Sequence, residues 1–337
     1  MLKIKIFHNK YYKYLVISGI LWGFYPLIFK QSLLFVGILA LLAGRFLGGA
    51  LILLVRNKYK KAYKIHRPPK AIFIYSAFSS VVALSLFLLG LSMTTPLHAS
   101  LIGLSLPFFV YALSVIILKE PVHKKVLYGG ILATLGLLFI IMYSTNESSK
   151  ASLVGDLLIL GSEASFAIGA ILARKAIKSR SIRSPEQLTF YDYSIAGVFF
   201  LVATVLVTFF GDGWQPINLS GFFWIAMAAT IGGIIPNVFF LKSARGLPAE
   251  KLADTNFISP IVGILAAVLI AGDSLTLSYV VGSVVVFMGL SISNDKLHPK
   301  LPVVDSSSLI NLEKMVIAKS VAFEKVLVEN ANSTKNN

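Results

Sequence analysis

The chain has 337 residues, 56% of them apolar and only 14% charged, with 31 lysines and arginines against 15 acids for a formal charge of +16. A mean hydropathy of +0.79 lies outside the range of soluble domains and excludes a soluble enzyme. The absence of cysteine removes disulfide frameworks, thiolate metal sites and thiol nucleophiles.

Ten apolar stretches follow one another, at about 14 to 29, 33 to 55, 71 to 92, 97 to 118, 126 to 143, 151 to 173, 188 to 210, 220 to 241, 252 to 271 and 277 to 294. They approach the ~20 residues that cross about 30 Å of hydrocarbon as helix. The first, preceded by Lys3, Lys5, Lys10 and Lys13, has no small-residue cleavage site after it and reads as an uncleaved anchor. The basic residues sort by loop: four before the first stretch, seven over 56 to 70, three over 119 to 125, five over 174 to 187, three over 242 to 251 and six after the last. Lys30 and Lys150 alone occupy the alternate loops, and Arg45 lies inside a span. This bias predicts a multi-pass protein of the cytoplasmic (inner) membrane of the cell with both termini in the cytoplasm. Its basic excess faces anionic headgroups of the lipid bilayer, not nucleic acid. The tail from 295 to 337 differs in composition; Leu309, Leu312, Val316, Phe323 and Val326 recur at helical spacing, which suits a short amphipathic helix, with a partly disordered tail as the other reading.

Sliding the chain on itself by 153 residues places Pro107 on Pro260, Glu120 on Asp273, Gly129 on Gly282 and Gly136 on Gly289. A weaker match at 144 places Trp22 on Phe166 and Lys30 on Arg174. The expected organisation is a basic N-terminus (1–13), a first five-helix repeat (14–143), a second (151–294) and the tail. Because five is odd, the second copy is inverted, giving an all-α polytopic membrane protein of ten transmembrane helices in two inverted repeats, the common plan of secondary transporters. The residues Trp22-Gly23, Arg45-Phe46, the run TTPLHASLIGLSLPFFVYALSVIILKEP and its counterpart ARGLPAEKLADTNFISPIVGILAAVLIAGDSL give the chain its family likeness. It resembles the drug/metabolite transporter superfamily, in particular the ten-helix members built from two EamA-type repeats, over about residues 14 to 293. The resemblance implies a central cavity lined by spans one, three, four, six, eight and nine, and alternating access by bending of spans three-four and eight-nine. Gly272-Asp273-Ser274 departs from the Gly-Glu-Pro that the family often has at this turn.

Ionisable side chains deep in hydrocarbon cost at least a few kcal/mol and mark function or pairing. Arg45 and Glu163 each stand eleven residues from a basic residue at a span end, Arg56 and Arg174, or roughly 16 Å deep at helical rise. Two readings follow: a structural ion pair between them, or Glu163 on the transport path, with Arg45 an intramembrane charge set apart from substrate. Pro107 and Pro260 each lack an N–H and kink their spans, which suits paired gates as well as static packing. Ser100, Gly103, Tyr111 and Asn256 lie a turn or so away on the same faces, and with Trp22 and Asn237 they complete the substrate-cavity candidates. His98 reads as a solvated residue near a span end, and Asp192 as a partner of the basic loop before it. Gly129 with Gly136, and Gly282 with Gly289, suggest close helix packing or a homodimer contact.

The reading that results is a secondary transporter of a small metabolite, an amino acid or related compound, coupled to a proton or a counter-substrate, with no cofactor and no catalytic residues. Uptake of a nucleotide-type cofactor such as S-adenosylmethionine and a lipid-carrier flippase are the alternatives. A membrane-embedded transferase is a weaker one, because the chain shows no phosphate loop, no metal-spaced His or Glu set and no nucleophile elbow.

Overall fold

Lipid offers the backbone no hydrogen-bond partner, so apolar runs of this length fold as helix. The structure, a computed structural model, describes residues 10–60, 63, 65–119, 121–147, 152–178, 184–211, 217–244, 246–247 and 255–294. Glu120, Lys150 and the tail from 295 lie outside the described residues, and so does the expected tail helix.

Among the described residues, eight helices are long and apolar enough to cross a membrane. They are α1 (Lys10–Ser32), α2 (Ile38–Lys60), α3 (Lys70–Met93), α4 (Pro96–Leu118), α5 (Lys124–Glu147), α6 (Leu153–Lys178), α7 (Pro185–Phe210) and α8 (Leu219–Phe240). Two shorter apolar helices follow, α9 (Phe257–Ala271) and α10 (Leu277–Asn294). Each expected stretch falls on one of these elements.

Five of the helices are interrupted. α1 breaks at Phe24, between Lys10–Gly23 and Tyr25–Ser32, because Pro26 has no N–H to give the carbonyl of Trp22. α4 tightens into a 3₁₀ turn at Gly103–Ser105 just before Pro107, and the Leu106 N–H takes up the Gly103 carbonyl. π turns widen α3 at Ala77–Val82, α8 at Thr230–Ile234 and α9 at Ala267–Ala271, the last about two turns beyond Pro260. Such turns loosen the backbone ladder locally and concentrate at functional sites. The interrupted helices are five of the six that the resemblance places around a cavity.

The helices pack as α5 on α10, α2 on α7, α6 on α3 and α4, and α1 on α8 and α9. Small residues set the closest approaches. A Cβ on Gly136 would sit 2.9 Å from the Gly282 carbonyl, and one on Gly289 would sit 2.6 Å from the Ala133 nitrogen. Both repeat-related glycine pairs are therefore consumed within the chain, joining α5 to α10. Phe46 stacks on Phe200 across α2 and α7, and Gly49 admits the Tyr193 ring. At the basic-loop end Arg56 pairs with Glu186 at 3.0 Å, and the Tyr191 hydroxyl accepts from the His66 N–H and donates to its carbonyl. Exposed Leu135, Phe209, Phe210 and Leu269 give the outer surface an apolar character suited to lipid.

Candidate functional site

Arg45 is buried, and its surroundings come from four helices. The guanidinium carbon lies 4.7 Å from the ring centre of Phe46, 5.4 Å from Phe29, 5.6 Å from Tyr193 and 5.8 Å from Tyr25. Aromatic faces attract a cation but leave its N–H groups unanswered. Nη2 reaches only the Gly232 carbonyl, at 3.5 Å, while Nε and Nη1 are buried without a hydrogen-bond partner among the described residues. The π turn of α8 makes this approach feasible. A Cβ on Gly233 would stand 3.2 Å from the Tyr193 hydroxyl and 3.9 Å from Arg45 Nε, so the Gly-Gly pair brings bare backbone to the charge. A guanidinium is a rigid planar fork of donors that matches the two oxygens of a carboxylate, and here two of its three nitrogens are left unanswered.

Glu163 on α6 is 6% exposed. Its Oε1 lies 3.9 Å from the place of a Cβ on Gly103, at the 3₁₀ turn of α4. It makes no ion pair with Arg45; the ion pairs among the described residues are Arg56–Glu186 and His98–Asp156. The structural-pair reading of the two deep charges is thereby corrected. Tyr25 of the cage is within electrostatic reach of Arg45, Tyr193 and Glu163 alike. A buried guanidinium and a buried carboxyl group thus lie around one tyrosine without contact with each other.

The other expected residues distribute around this centre. Asn237 donates to the Tyr193 hydroxyl at 3.4 Å, on the rim of the aromatic cage. Ser100 sits where α4, α1 and α9 cross, its Oγ 2.5 Å from the place of a Cβ on Gly263, which in turn is 3.2 Å from the Gly23 carbonyl. Trp22 packs against Phe240 with ring centres 5.2 Å apart. Pro107 follows the 3₁₀ turn of α4 directly, whereas Pro260 lies inside the continuous helical segment Thr255–Ala266, with the π turn of α9 starting seven residues later. Tyr111 is elsewhere: its hydroxyl accepts from the His123 N–H at 2.7 Å. It lines, with Ser105 and Phe108, an apolar cavity of about 430 Å³ between α4 and α5 that contains neither Arg45 nor Glu163. Asn256 is in helical backbone, but its side chain is outside what the structure describes.

Asp192 and His98 depart from what their positions suggest. Asp192 is buried, and the π turn of α3 turns hydroxyls onto it, with Ser80 donating to Oδ2 at 2.8 Å and Ser79 to Oδ1 at 3.3 Å. Ser80→Ala is expected to cost about 1 to 3 kcal/mol by leaving the buried carboxylate short of a donor, measurable as a lower melting temperature in detergent. His98 is fully buried, not solvated, and is bonded to Asp156 and Tyr279. The cage residues Tyr25, Phe29 and Tyr193 also escaped sequence reasoning. Pro26 three residues after Gly23 was the available signal for the first two, since it marks a broken helix.

The sequence profile described as the EamA-like transporter family matches residues 9–142 and again residues 153–294. The chain belongs to the EamA-like transporter family. Among relatives, it is 26% identical over 214 residues to a protein of Bacillus subtilis named "Uncharacterized transporter YyaM", covering 61% of this chain and 67% of that one. It is likewise 26% identical over 205 residues to a "Probable amino-acid metabolite efflux pump" of Salmonella typhimurium, covering 58% and 66%. The matched part thus spans about two thirds of these relatives. A solved crystal structure whose title states no function superposes with a TM-score of 0.60 at 13% identity, over 83% of this chain and 94% of that one, a likeness of fold alone. With its apolar helices and transporter-named relatives, this EamA-family chain is a multi-pass membrane protein of a transporter family.

Proposed function

We propose that the protein is a secondary transporter, not an enzyme, that moves a small zwitterionic metabolite such as an amino acid across the cytoplasmic membrane by alternating access. The observation that carries this reading is the desolvated guanidinium of Arg45 with two unanswered nitrogens, set near but not against the buried Glu163 carboxylate. Arg45 binds the substrate carboxylate, Glu163 the amine, and Tyr25 is within electrostatic reach of both. A guanidinium donor and a carboxyl acceptor suit a molecule that carries both a carboxylate and an amine and disfavour one that carries neither, because buried polar groups left unmatched are costly. The name of the Salmonella relative, a probable amino-acid metabolite efflux pump, agrees with this substrate class and with export.

The architecture proposed is ten crossings in two inverted halves, 14–143 and 151–294, with both termini cytoplasmic. Support comes from the double profile match and from the packing: α1 on α8 and α9 mirrors α6 on α3 and α4, while α2–α7 and α5–α10 relate equivalent helices. The interruptions of α3-α4 and α8-α9 suit bending of those pairs in alternation. Purified protein in vesicles loaded with a mixture of isotope-labelled amino acids tests the function. Time-dependent release of one or a few of them, read by mass spectrometry and absent from empty vesicles, is the expected result. Retention of every solute by well-folded protein would reject the substrate class.

A further inference from the structure

The cluster around His98 is used by nothing above. His98 Nδ1 lies 2.7 Å from Asp156 Oδ2, the Thr94 hydroxyl donates to Asp156 Oδ1 at 2.6 Å, and the other ring nitrogen of His98 meets the Tyr279 hydroxyl. His98 and Asp156 are 0% exposed and Tyr279 is 1% exposed. The three residues sit at the starts of α4, α6 and α10, so the cluster ties the first half of the chain to the second at the membrane face opposite the basic loops. Among the described residues, the charges nearby are Lys30 of α1, which donates to the carbonyls of Leu91 and Thr94 at 2.6 and 2.7 Å, and Asp273, which accepts from the Leu97 N–H at 3.0 Å.

We propose that His98, Asp156 and Tyr279 form a proton-binding site that latches this end of the molecule shut. The geometry serves two protonation states with the same atoms. With a neutral imidazole, Nδ1–H donates to Asp156 and the Tyr279 hydroxyl donates to Nε2, and the buried cluster carries one negative charge with no cation in contact with it among the described residues. When a proton arrives at Nε2, that nitrogen becomes a donor to the Tyr279 oxygen, the hydroxyl rotates, and the imidazolium–carboxylate pair is neutral overall. Burial penalises the first state more than the second, whereas water equalises them once the helices part. Closing therefore binds a proton and opening releases it. The cage around Arg45 is a separate site, so the proton and the solute are linked through the helices they both hold, α4 and α6 included. That linkage rests on the transport reading; the latch does not.

The natural absence of cysteine allows a direct test. Ala99 is buried beside His98, and Ala99→Cys in nanodiscs will be alkylated by a polar maleimide only when this end opens. Rates are compared across about pH 5 to 8 in three backgrounds, so that the thiol's own pH dependence cancels in the ratios. One proton bound on closing gives up to about a tenfold fall in the open fraction per pH unit of acidification. His98→Gln keeps both hydrogen bonds but cannot take the proton, so it should label fast at every pH. Asp156→Asn removes the buried charge, so it should label slowly at every pH. A purely structural hydrogen bond predicts faster labelling in both variants. That outcome, or an unchanged ratio between His98→Gln and the parent across the range, would overturn the latch. If the latch behaves as expected while labelled amino acids stay inside vesicles, the transport reading fails and the proton site stands.

Discussion

Arg45→Met should make the protein more stable and at the same time inactive. A buried cation with unanswered N–H groups is a standing cost, and a well-packed apolar replacement of a buried charge is commonly neutral or stabilising by about 1 to 4 kcal/mol. The long thioether fills the volume among Phe29, Phe46, Tyr25 and Tyr193 that the guanidinium leaves. A substrate carboxylate loses its charged donors, worth about 1.5 to 3 kcal/mol, so apparent affinity falls by roughly 10- to 100-fold or more. Arg45→Lys should not rescue it, because an ammonium offers no planar fork and stacks poorly between rings. Melting curves in detergent and vesicle release of labelled amino acids are the paired measurements. A variant that loses stability together with transport would show that the guanidinium is a structural residue, whose cage answers it better than the geometry says.

The largest loss of stability is expected at the α5–α10 seam. Gly289→Leu must place a side chain where even a Cβ stands 2.6 Å from the Ala133 nitrogen, so the two helices have to separate along their length. Overpacking of this kind costs about 3 kcal/mol or more, and close contact between helices is much of what holds a bundle together in lipid. Gly37→Leu is the control, since nothing lies within 4 Å of its Cβ position and little change is expected. Thermal unfolding followed by fluorescence, with size-exclusion profiles beside it, separates two cases. A seam inside the chain predicts unfolding of the polypeptide, whereas a dimer seam predicts a smaller but folded particle.

Hydropathy alone made the helices and most of their limits legible, because an apolar run in lipid has one way to satisfy its backbone. The interruption at Pro107 was legible too, since proline carries its effect in its own chemistry; Pro260 sits within unbroken helix, and the π turn of α9 lies seven residues beyond it. The π turns were not. No residue type announces them, and Ser79 and Ser80 gain their role only from Asp192 on another helix. Arg45 and Glu163 stood out by depth, but the rings that surround the arginine come from helices far apart in sequence. His98 shows the converse error. Near a helix end it looked like a residue at the water boundary, yet Asp156 and Tyr279, 58 and 181 residues away, enclose it. Glycine spacing correctly announced close contact; that the two pairs serve each other needed three dimensions.

The π turn of α3 has one more consequence. It holds one residue more than the α-helical turn it replaces, so it behaves as a single-residue insertion that the chain has absorbed. Excising one residue between Ala77 and Val82 would let regular helix form throughout while leaving the two ends of α3 facing as they do now. The effect would be confined to the turn: excising Ser79 or Ser80 takes a hydroxyl from Asp192, and a deletion that keeps the packing of the whole helix would still leave a buried carboxylate short of a donor.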